Sequence, residues 1–370
     1  MSKKTILLPE PTKPTTVLPK WVPPPAPKVD HLPMLDLATL PSTVLLQTLG
    51  KALTMRRDHE SYTEAEFVGW LVNRLPVSMI DSAGNVHVNL CTEPNHRTMF
   101  TSHTDSVHSG GGVNRVRVDG DYWRADGAAL GADDGAGIAL MCHMIERGVP
   151  GYYVFFRGEE CGGIGSSWLA ETMPELLADF DRAVAFDRAG SSDVITHQGR
   201  GRCCSDKFAQ ALSDALNDQG QLYMPCDGGV YTDTAEFIHI IPECSNLSVG
   251  YKSQHGDREE QNIPFLIALA DSLVKIDWDA LPVDRDPKKR EPKTYSYGKD
   301  FDAKWFTGGA KYDSGTDSYF DDDKWPPALE TTSRPGHRPF DLDDNERYDL
   351  NLAEIELHDA LQDASEGSVS

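Results

Sequence analysis

Two adjacent carboxylates, Asp133 and Asp134, lie in a stretch of small residues that continues directly into an apolar, helix-like run. Because an unpaired buried charge is costly, carboxylates in such a setting need a compensating partner, and a divalent cation would be one. Four further motifs carry side chains of similar chemistry: HTD at 103–105, RGEECGGIG at 157–165, FDRAG at 186–190 and SQHGD at 253–257. Together the five motifs predict a metal centre built from carboxylate and imidazole groups.

Each of these residues, taken singly, has a more ordinary interpretation. A lone histidine is more often packed or exposed than bound to a metal, and two successive glutamates often belong to a solvated loop. Asp187 could end a turn before Gly190, and Asp133 or Asp134 could cap a helix. The joint occurrence of the motifs, in order and beside strands, is what favours the metal centre.

The elements that must position these motifs alternate between strands and helices. A continuous apolar run at 152–156 predicts a strand buried on both faces, and it ends shortly before Glu159 and Glu160. Strands predicted at 98–102, 183–186 and 246–249 lead to His103, Asp187 and His255 in the same way. We therefore predict an α/β fold with a mixed, mostly parallel central sheet and helices on both faces. Open α/β sheets bind their ligands beyond the carboxyl ends of the strands.

Composition divides the 370 residues into three parts. Eight prolines before residue 28 predict an extended, disordered arm at 1–34. Residues 35–278 are expected to form a single catalytic domain. Residues 279–370 are rich in acidic and polar side chains, which predicts a tail of low order.

Charge, hydropathy and cysteine usage exclude several classes of partner. The formal net charge of −23 argues against binding to a nucleic-acid backbone. No apolar run approaches the length of a membrane span, and prolines interrupt any signal core near the start. The seven cysteines include no CxxC pair, so we expect reduced thiols in a cytoplasmic protein.

The motifs HTD, LGADDGAGIA, RGEECGGIG, FDRAG and SVGYKSQH, in this order, resemble those of the zinc-dependent exopeptidases with a co-catalytic dimetal site. That superfamily includes tripeptidase T, carboxypeptidase G and leucyl aminopeptidase relatives, and the resemblance covers about 103–255. It implies two zinc ions, or other divalent ions such as cobalt or manganese. Zinc accepts imidazole nitrogen and carboxylate oxygen, so it suits these side chains.

The resemblance also implies a role for each metal-binding residue when it is carried over motif by motif. His103 would bind one zinc ion together with Asp187. Glu160 and His255 would bind the other ion, and Asp133 would bridge the two.

By the same resemblance, Glu159 would be the general base that takes a proton from a water lying between the ions and passes it to the leaving amine. Asp105 stands two residues from His103, so an extended segment places both side chains on one face. There it would hold the imidazole in the tautomer that binds metal. A cis peptide bond between Asp133 and Asp134 is implied as well.

One spacing departs from many members of the superfamily, which insert a lid or dimerisation domain between the residues equivalent to Asp187 and His255. Here these residues are 68 positions apart, which accommodates a helix and two or three strands but no further domain. A bare catalytic domain is therefore expected. The lid histidine that stabilises the oxyanion in some relatives would be missing, and Tyr231 and Tyr251 are candidate replacements.

The sequence thus predicts a zinc metallopeptidase that hydrolyses an amide bond of small peptides, as an aminopeptidase. A first alternative is a deacylase of the same architecture that acts on N-acylated amino acids. A second is a catalytically silent module whose arm and tail bind a partner. Neither a nucleic acid nor a membrane is expected as a partner, and the oligomeric state is left open.

Overall fold

The computed structural model describes residues 33–199 and 201–289. The predictions for the arm before residue 33 and for the tail beyond residue 289 lie outside the described residues. Residues 279–289, assigned to the tail by composition, pack against the body, where Leu281 is buried and its carbonyl accepts hydrogen bonds from Arg182. In these two ranges we find no helix with both the length and the apolar character that a bilayer crossing requires.

Seven α-helices and two 3-10 helices occur in the described ranges. In chain order the α-helices are α1 (Val44–Leu53), α2 (Tyr62–Val72), α3 (Ala132–Glu146), α4 (Ile164–Thr172), α5 (Pro174–Ala178), α6 (Asp206–Asn217) and α7 (Ile263–Leu273). The 3-10 helices span Leu37–Thr39 and Asp233–Phe237.

The strands of the same ranges vary from two to seven residues in length. In chain order they are β1 (Met55–Arg56), β2 (Met79–Ile80), β3 (Val86–Asn89), β4 (Thr98–His103), β5 (Gly112–Val113), β6 (Val116–Asp119), β7 (Tyr122–Ala125), β8 (Tyr152–Phe156), β9 (Arg182–Arg188), β10 (Asp193–Ile195), β11 (His197–Gln198), β12 (Gly201–Arg202), β13 (Met224–Cys226), β14 (Glu243–Ser248), β15 (Tyr251–Lys252) and β16 (Glu260–Asn262).

An eight-stranded mixed sheet forms the centre of the fold, in the order β13-β10-β14-β9-β4-β8-β3-β2. The neighbours β14, β9, β4 and β8 all run parallel, and so do β10 and β13. The other neighbouring pairs are antiparallel. Four of the seven pairs are thus parallel, which confirms the predicted mixed α/β sheet.

Helices cover both faces of this sheet. The side chains of β8 point alternately to the two faces and pack into two apolar clusters. Tyr153 and Phe155 pack into the cluster that includes residues of α1, α3, α6 and α7. Tyr152, Val154 and Phe156 pack into the cluster that includes residues of α4 and α5. The strand is buried along its whole length, as its uninterrupted apolar sequence predicts.

A second sheet of four antiparallel strands, in the order β15-β16-β7-β6, adjoins the segment that contains His255. Its strands β6 and β7 form a hairpin around Asp119 and Gly120, a residue pair that predicts such a turn in the sequence. The segment 253–259 connects β15 to β16, so strand pairing anchors it at both ends.

In the sequence, Thr63 and Glu66 form a capping-box pattern that predicts the start of a helix, but helix α2 begins earlier. The Ser61 hydroxyl accepts the N–H of Glu64 at 3.1 Å, and the Glu64 carboxylate accepts the N–H of Glu60 at 2.7 Å. Thr63 lies inside the helix, and its hydroxyl donates to the carbonyl of Arg56. The predicted cap was wrong because Ser61 and Glu64 offer the same pattern two residues earlier, while tertiary contacts engage Thr63.

We expect Ser61→Ala to lower the free energy of unfolding by about 1 kcal/mol, because it removes the cap. Glu66→Gln is the matched control, because Glu66 is exposed and its carboxylate pairs with the ammonium group of Lys51 at 3.3 Å on the helix surface. That change should stay under about 0.5 kcal/mol. Urea unfolding of both variants measures the difference. A larger loss of unfolding free energy for Glu66→Gln would favour the Thr63–Glu66 cap over the Ser61 cap.

Candidate metal centre

The predicted metal-binding residues meet at one edge of the central sheet, where the parallel strands end. His103 is the last residue of β4 and lies opposite Phe156, the last residue of β8. The loop after Phe156 carries Glu159 and Glu160, and Asp187 is the second-last residue of β9. Parallel pairing of these strands therefore brings the three chain segments to the same edge of the sheet.

Asp133 enters the same edge from the start of α3. The backbone of Asp133 and Asp134 is not helical, and regular helix begins after Asp134, in agreement with the helix that the sequence predicts from Gly135. The Asp134 carboxylate accepts the N–H of Gly137 at 2.9 Å and the N–H of His103 at 3.2 Å. Asp134 therefore caps the helix, and the bond between it and Asp133 is cis, as the resemblance implies.

The two oxygens of Asp133 face two different imidazoles. Its Oδ1 lies 3.2 Å from His103 Nε2, and its Oδ2 lies 3.1 Å from His255 Nε2. Asp187 Oδ1 lies 3.6 Å from the same His103 nitrogen, and Glu160 Oε1 lies 3.1 Å from the His255 nitrogen. The structure thus forms two three-residue groups that share Asp133, each with its ligand atoms within 4.8 Å of one another.

Glu159 belongs to a third group of this kind, together with His103 and Glu160. Its Oε2 is 3.9 Å from His103 Nε2, and its side chain is mostly buried. Burial and the negative charges of Asp187 and Asp233 hold the pKa of Glu159 well above its usual range, against the opposing charge of His103.

Asp105 holds both the imidazole of His103 and the loop that carries the glutamates. Its Oδ1 lies 3.3 Å from His103 Nδ1, as its predicted orienting position requires. In addition, its carboxylate accepts the backbone N–H groups of Gly158 at 3.0 Å and of Glu159 and Glu160 at 3.2 Å each. The sequence analysis did not predict that Asp105 binds this loop. A glycine-rich loop after a strand is nevertheless a signal for backbone N–H groups that converge on an anion.

Asn85 is a second residue that sequence reasoning missed. Its Oδ1 accepts the N–H of Arg157 and its Nδ2 donates to the carbonyl of Gly165, both at 3.1 Å. One amide side chain thus binds both ends of the loop that carries Glu159 and Glu160. Asn85 precedes β3, far from the loop in sequence, so no local pattern indicated the contact.

The two tyrosines proposed for the oxyanion both donate to carboxylates of this chain. The Tyr251 hydroxyl donates to Asp187 Oδ1 at 3.1 Å, and the Tyr231 hydroxyl donates to Glu236 at 3.0 Å. Tyr251 therefore orients a metal-binding candidate. Asn246 holds the backbone of Asp187 in the same region, because its amide pairs with both the N–H and the carbonyl of that residue at 2.9 Å.

The balance of negative and positive charge at the site indicates whether it can hold metal ions. Burial and the facing carboxylate of Asp133 raise the pKa of Asp187 to about 6, and burial with the same neighbour raises the pKa of Glu160. Burial opposes protonation of His255, yet its hydrogen bonds to Asp133 and Glu160 raise its pKa to about 11. The buried carboxylates outnumber the imidazoles, and two divalent cations would offset that excess. The donor set of imidazole and carboxylate groups fits zinc.

Comparison with known proteins gives the fold a wider context. No family model matches the chain. The uncharacterized protein YqjE of Bacillus subtilis strain 168 is 39% identical over 115 residues. These residues cover 28% of this chain and 30% of that protein, so the match spans less than a third of the relative.

Two solved structures share the fold over most of their own length. The aminopeptidase PepT of Bacillus cereus ATCC 10987 has a TM-score of 0.53 and 16% identity, over 63% of this chain and 96% of PepT. The dodecameric structure of PhTET1-12s has a TM-score of 0.50 and 14% identity, over 62% of this chain and 97% of that chain. At such identities the similarity establishes a common fold.

We expect the purified chain to bind about two zinc ions after equilibrium dialysis, because two groups of ligand atoms share Asp133. His255→Ala should lower the content to about one ion per chain. His143→Ala is the matched control, since this histidine lies near the far end of α3, and it should retain both ions. Elemental analysis measures the content, and a wild-type chain that binds no zinc at saturating concentration would contradict the metal centre.

Proposed function

We propose that this protein is a two-metal peptidase that removes the N-terminal residue of small peptides. The observation that carries the proposal is the Asp133 carboxylate, whose two oxygens each face one imidazole at 3.1–3.2 Å. A further carboxylate completes each group. The shared fold with the aminopeptidase PepT supports a peptide as the substrate.

The residues divide between the two ions as the sequence resemblance implies. His103 and Asp187 would hold one ion, Glu160 and His255 would hold the other, and Asp133 would bind both. Two such ions, when bound, polarise the scissile carbonyl and lower the pKa of a water molecule. Zinc is the proposed ion, with cobalt or manganese as possible substitutes.

Glu159 would act as the proton carrier of the reaction. It would accept a proton from the attacking water as the water oxygen bonds to the carbonyl carbon, and would then give that proton to the nitrogen as the C–N bond breaks. The three backbone hydrogen bonds to Asp105 fix the loop from which Glu159 projects.

The substrate would approach from the side of His255. The side chain of this histidine is 28% exposed, whereas that of His103 is 1% exposed. The imidazole of His103 and the carboxylate of Asp105 therefore form the closed wall of the site.

The proposed location is the cytoplasm. All seven cysteines lie in the described ranges and are free thiols, which is typical of reducing compartments.

We expect Glu159→Gln to keep its fold and its metal content but to lose about 10²–10⁴-fold in kcat, because the amide cannot carry the proton. Glu171→Gln, on the exposed surface of α4, is the matched control and should keep full activity. Steady-state kinetics and elemental analysis of both variants give the comparison. Full activity of Glu159→Gln would assign the base to another residue.

A panel of aminoacyl amides, dipeptides, tripeptides and N-acetyl amino acids identifies the substrate class. Cleavage that requires a free amino terminus is the expected result. Turnover confined to N-acetyl amino acids would instead make the protein a deacylase. If the chain bound zinc and cleaved no member of the panel, the catalytically silent module would be the better description.

A further inference from the structure

Glu259 is a buried carboxylate that accepts hydrogen bonds from backbone N–H groups in the turn that ends at Asp133. Its side chain is 1% exposed. Its Oε2 accepts the N–H groups of Leu130 at 2.7 Å and of Gly131 at 3.0 Å, and its Oε1 accepts the N–H of Asp133 at 3.0 Å. Three N–H groups of one turn therefore converge on a single carboxylate, with Gly131 in the left-handed region at φ 76°.

Arg57 binds the same turn from the carbonyl side. Its side chain is fully buried, and its Nη2 donates to the carbonyl of Gly131 at 2.7 Å. Its Nη1 donates to the carbonyl of Thr104, also at 2.7 Å, and Thr104 directly follows His103. The turn that leads to Asp133 is thus held by a carboxylate on its N–H groups and by a guanidinium on a carbonyl.

The position of Glu259 in the chain ties this turn to the second histidine. Glu259 stands four residues after His255 and directly before β16, whose pairing with β7 fixes that end of the segment. The backbone of His255 lies in the left-handed region at φ 64°, and so does that of Ser253 at φ 55°. Such backbone is held only by the surrounding contacts.

We propose that Glu259 is a positioning residue that sets the separation of the Asp133 carboxylate and the His255 imidazole, and so the affinity of the cation between them. The inference rests on the proposed two-metal centre. Glu259 is not one of the residues that would hold the ions, and it acts through the backbone of Asp133. Arg57 supports the same turn and connects it to the strand end that carries His103.

Glu259→Gln tests this proposal because the amide has the same shape but one acceptor oxygen in place of two. Its NH2 group must then face a backbone N–H, either that of Asp133 or those of Leu130 and Gly131. We expect the affinity for the more weakly held zinc ion to fall about 10–100-fold, as for other residues that orient metal ligands. Competition with a chromophoric chelator measures it, and the visible spectrum of the cobalt-loaded protein should change with it.

Glu260→Gln is the matched control, because Glu260 is the next residue and pairs with Arg124 in the second sheet instead. Its zinc affinity should stay within about twofold of wild type. Urea unfolding of the metal-free proteins separates the two possible roles of Glu259. If the carboxylate only stabilised the fold, Glu259→Gln would lower the unfolding midpoint and leave the zinc affinity and the cobalt spectrum unchanged. That result would overturn the proposal.

If Glu259→Gln does not fold, Glu259→Asp replaces it, since this variant keeps the charge but is too short to reach both ends of the turn. It should fold and still bind the weaker zinc ion less tightly than wild type, and an unchanged affinity would overturn the proposal. A wild-type chain without zinc would contradict the two-metal centre itself. A wild-type chain with two ions and a variant with equal affinities would contradict only the role of Glu259.

Discussion

Electrostatic repulsion among buried carboxylates is the constraint on which the rest of this structure depends. Asp133, Glu159, Glu160 and Asp187 converge at the strand edge with two imidazoles as their nearest opposite charges. Separated carboxylates would be better solvated, so only a rigid scaffold or bound cations can hold them together. The parallel strands provide the scaffold, because each carries its side chain to the same edge with backbone hydrogen bonds satisfied inside the sheet.

Buried polar side chains fix the loops that extend beyond the strand ends, where the hydrogen bonds of the sheet no longer act. Asp105 and Glu259 each bind three backbone N–H groups of a loop that carries candidate ligands. Asn85 binds a backbone N–H and a carbonyl at the two ends of the glutamate loop, and Arg57 donates to two further backbone carbonyls. These side chains act on the backbone, which restricts every side chain that projects from the loop. A charged acceptor also offsets part of its own burial cost through several N–H donors.

Local pattern was sufficient wherever a short segment determines its own structure. The apolar run at 152–156 predicted a strand buried on both faces, and the Asp119–Gly120 pair predicted a hairpin. The cap of α2 shows where pattern is insufficient. Two capping signals overlap there, and the tertiary contact of Thr63 with the carbonyl of Arg56 decides which of them the helix uses.

By itself, the sequence determined the fold class, because the periodicity of strands and helices can be read along a short segment. Its motifs, through their resemblance to the exopeptidases, indicated which residues meet at the strand edge. Only the tertiary structure decided that one oxygen of Asp133 faces His103 and the other faces His255. It also decided that Asn85, Arg57 and Glu259 hold the loops. Their partners are distant in sequence, and a hydrogen bond depends on a separation in space that no spacing along the chain records.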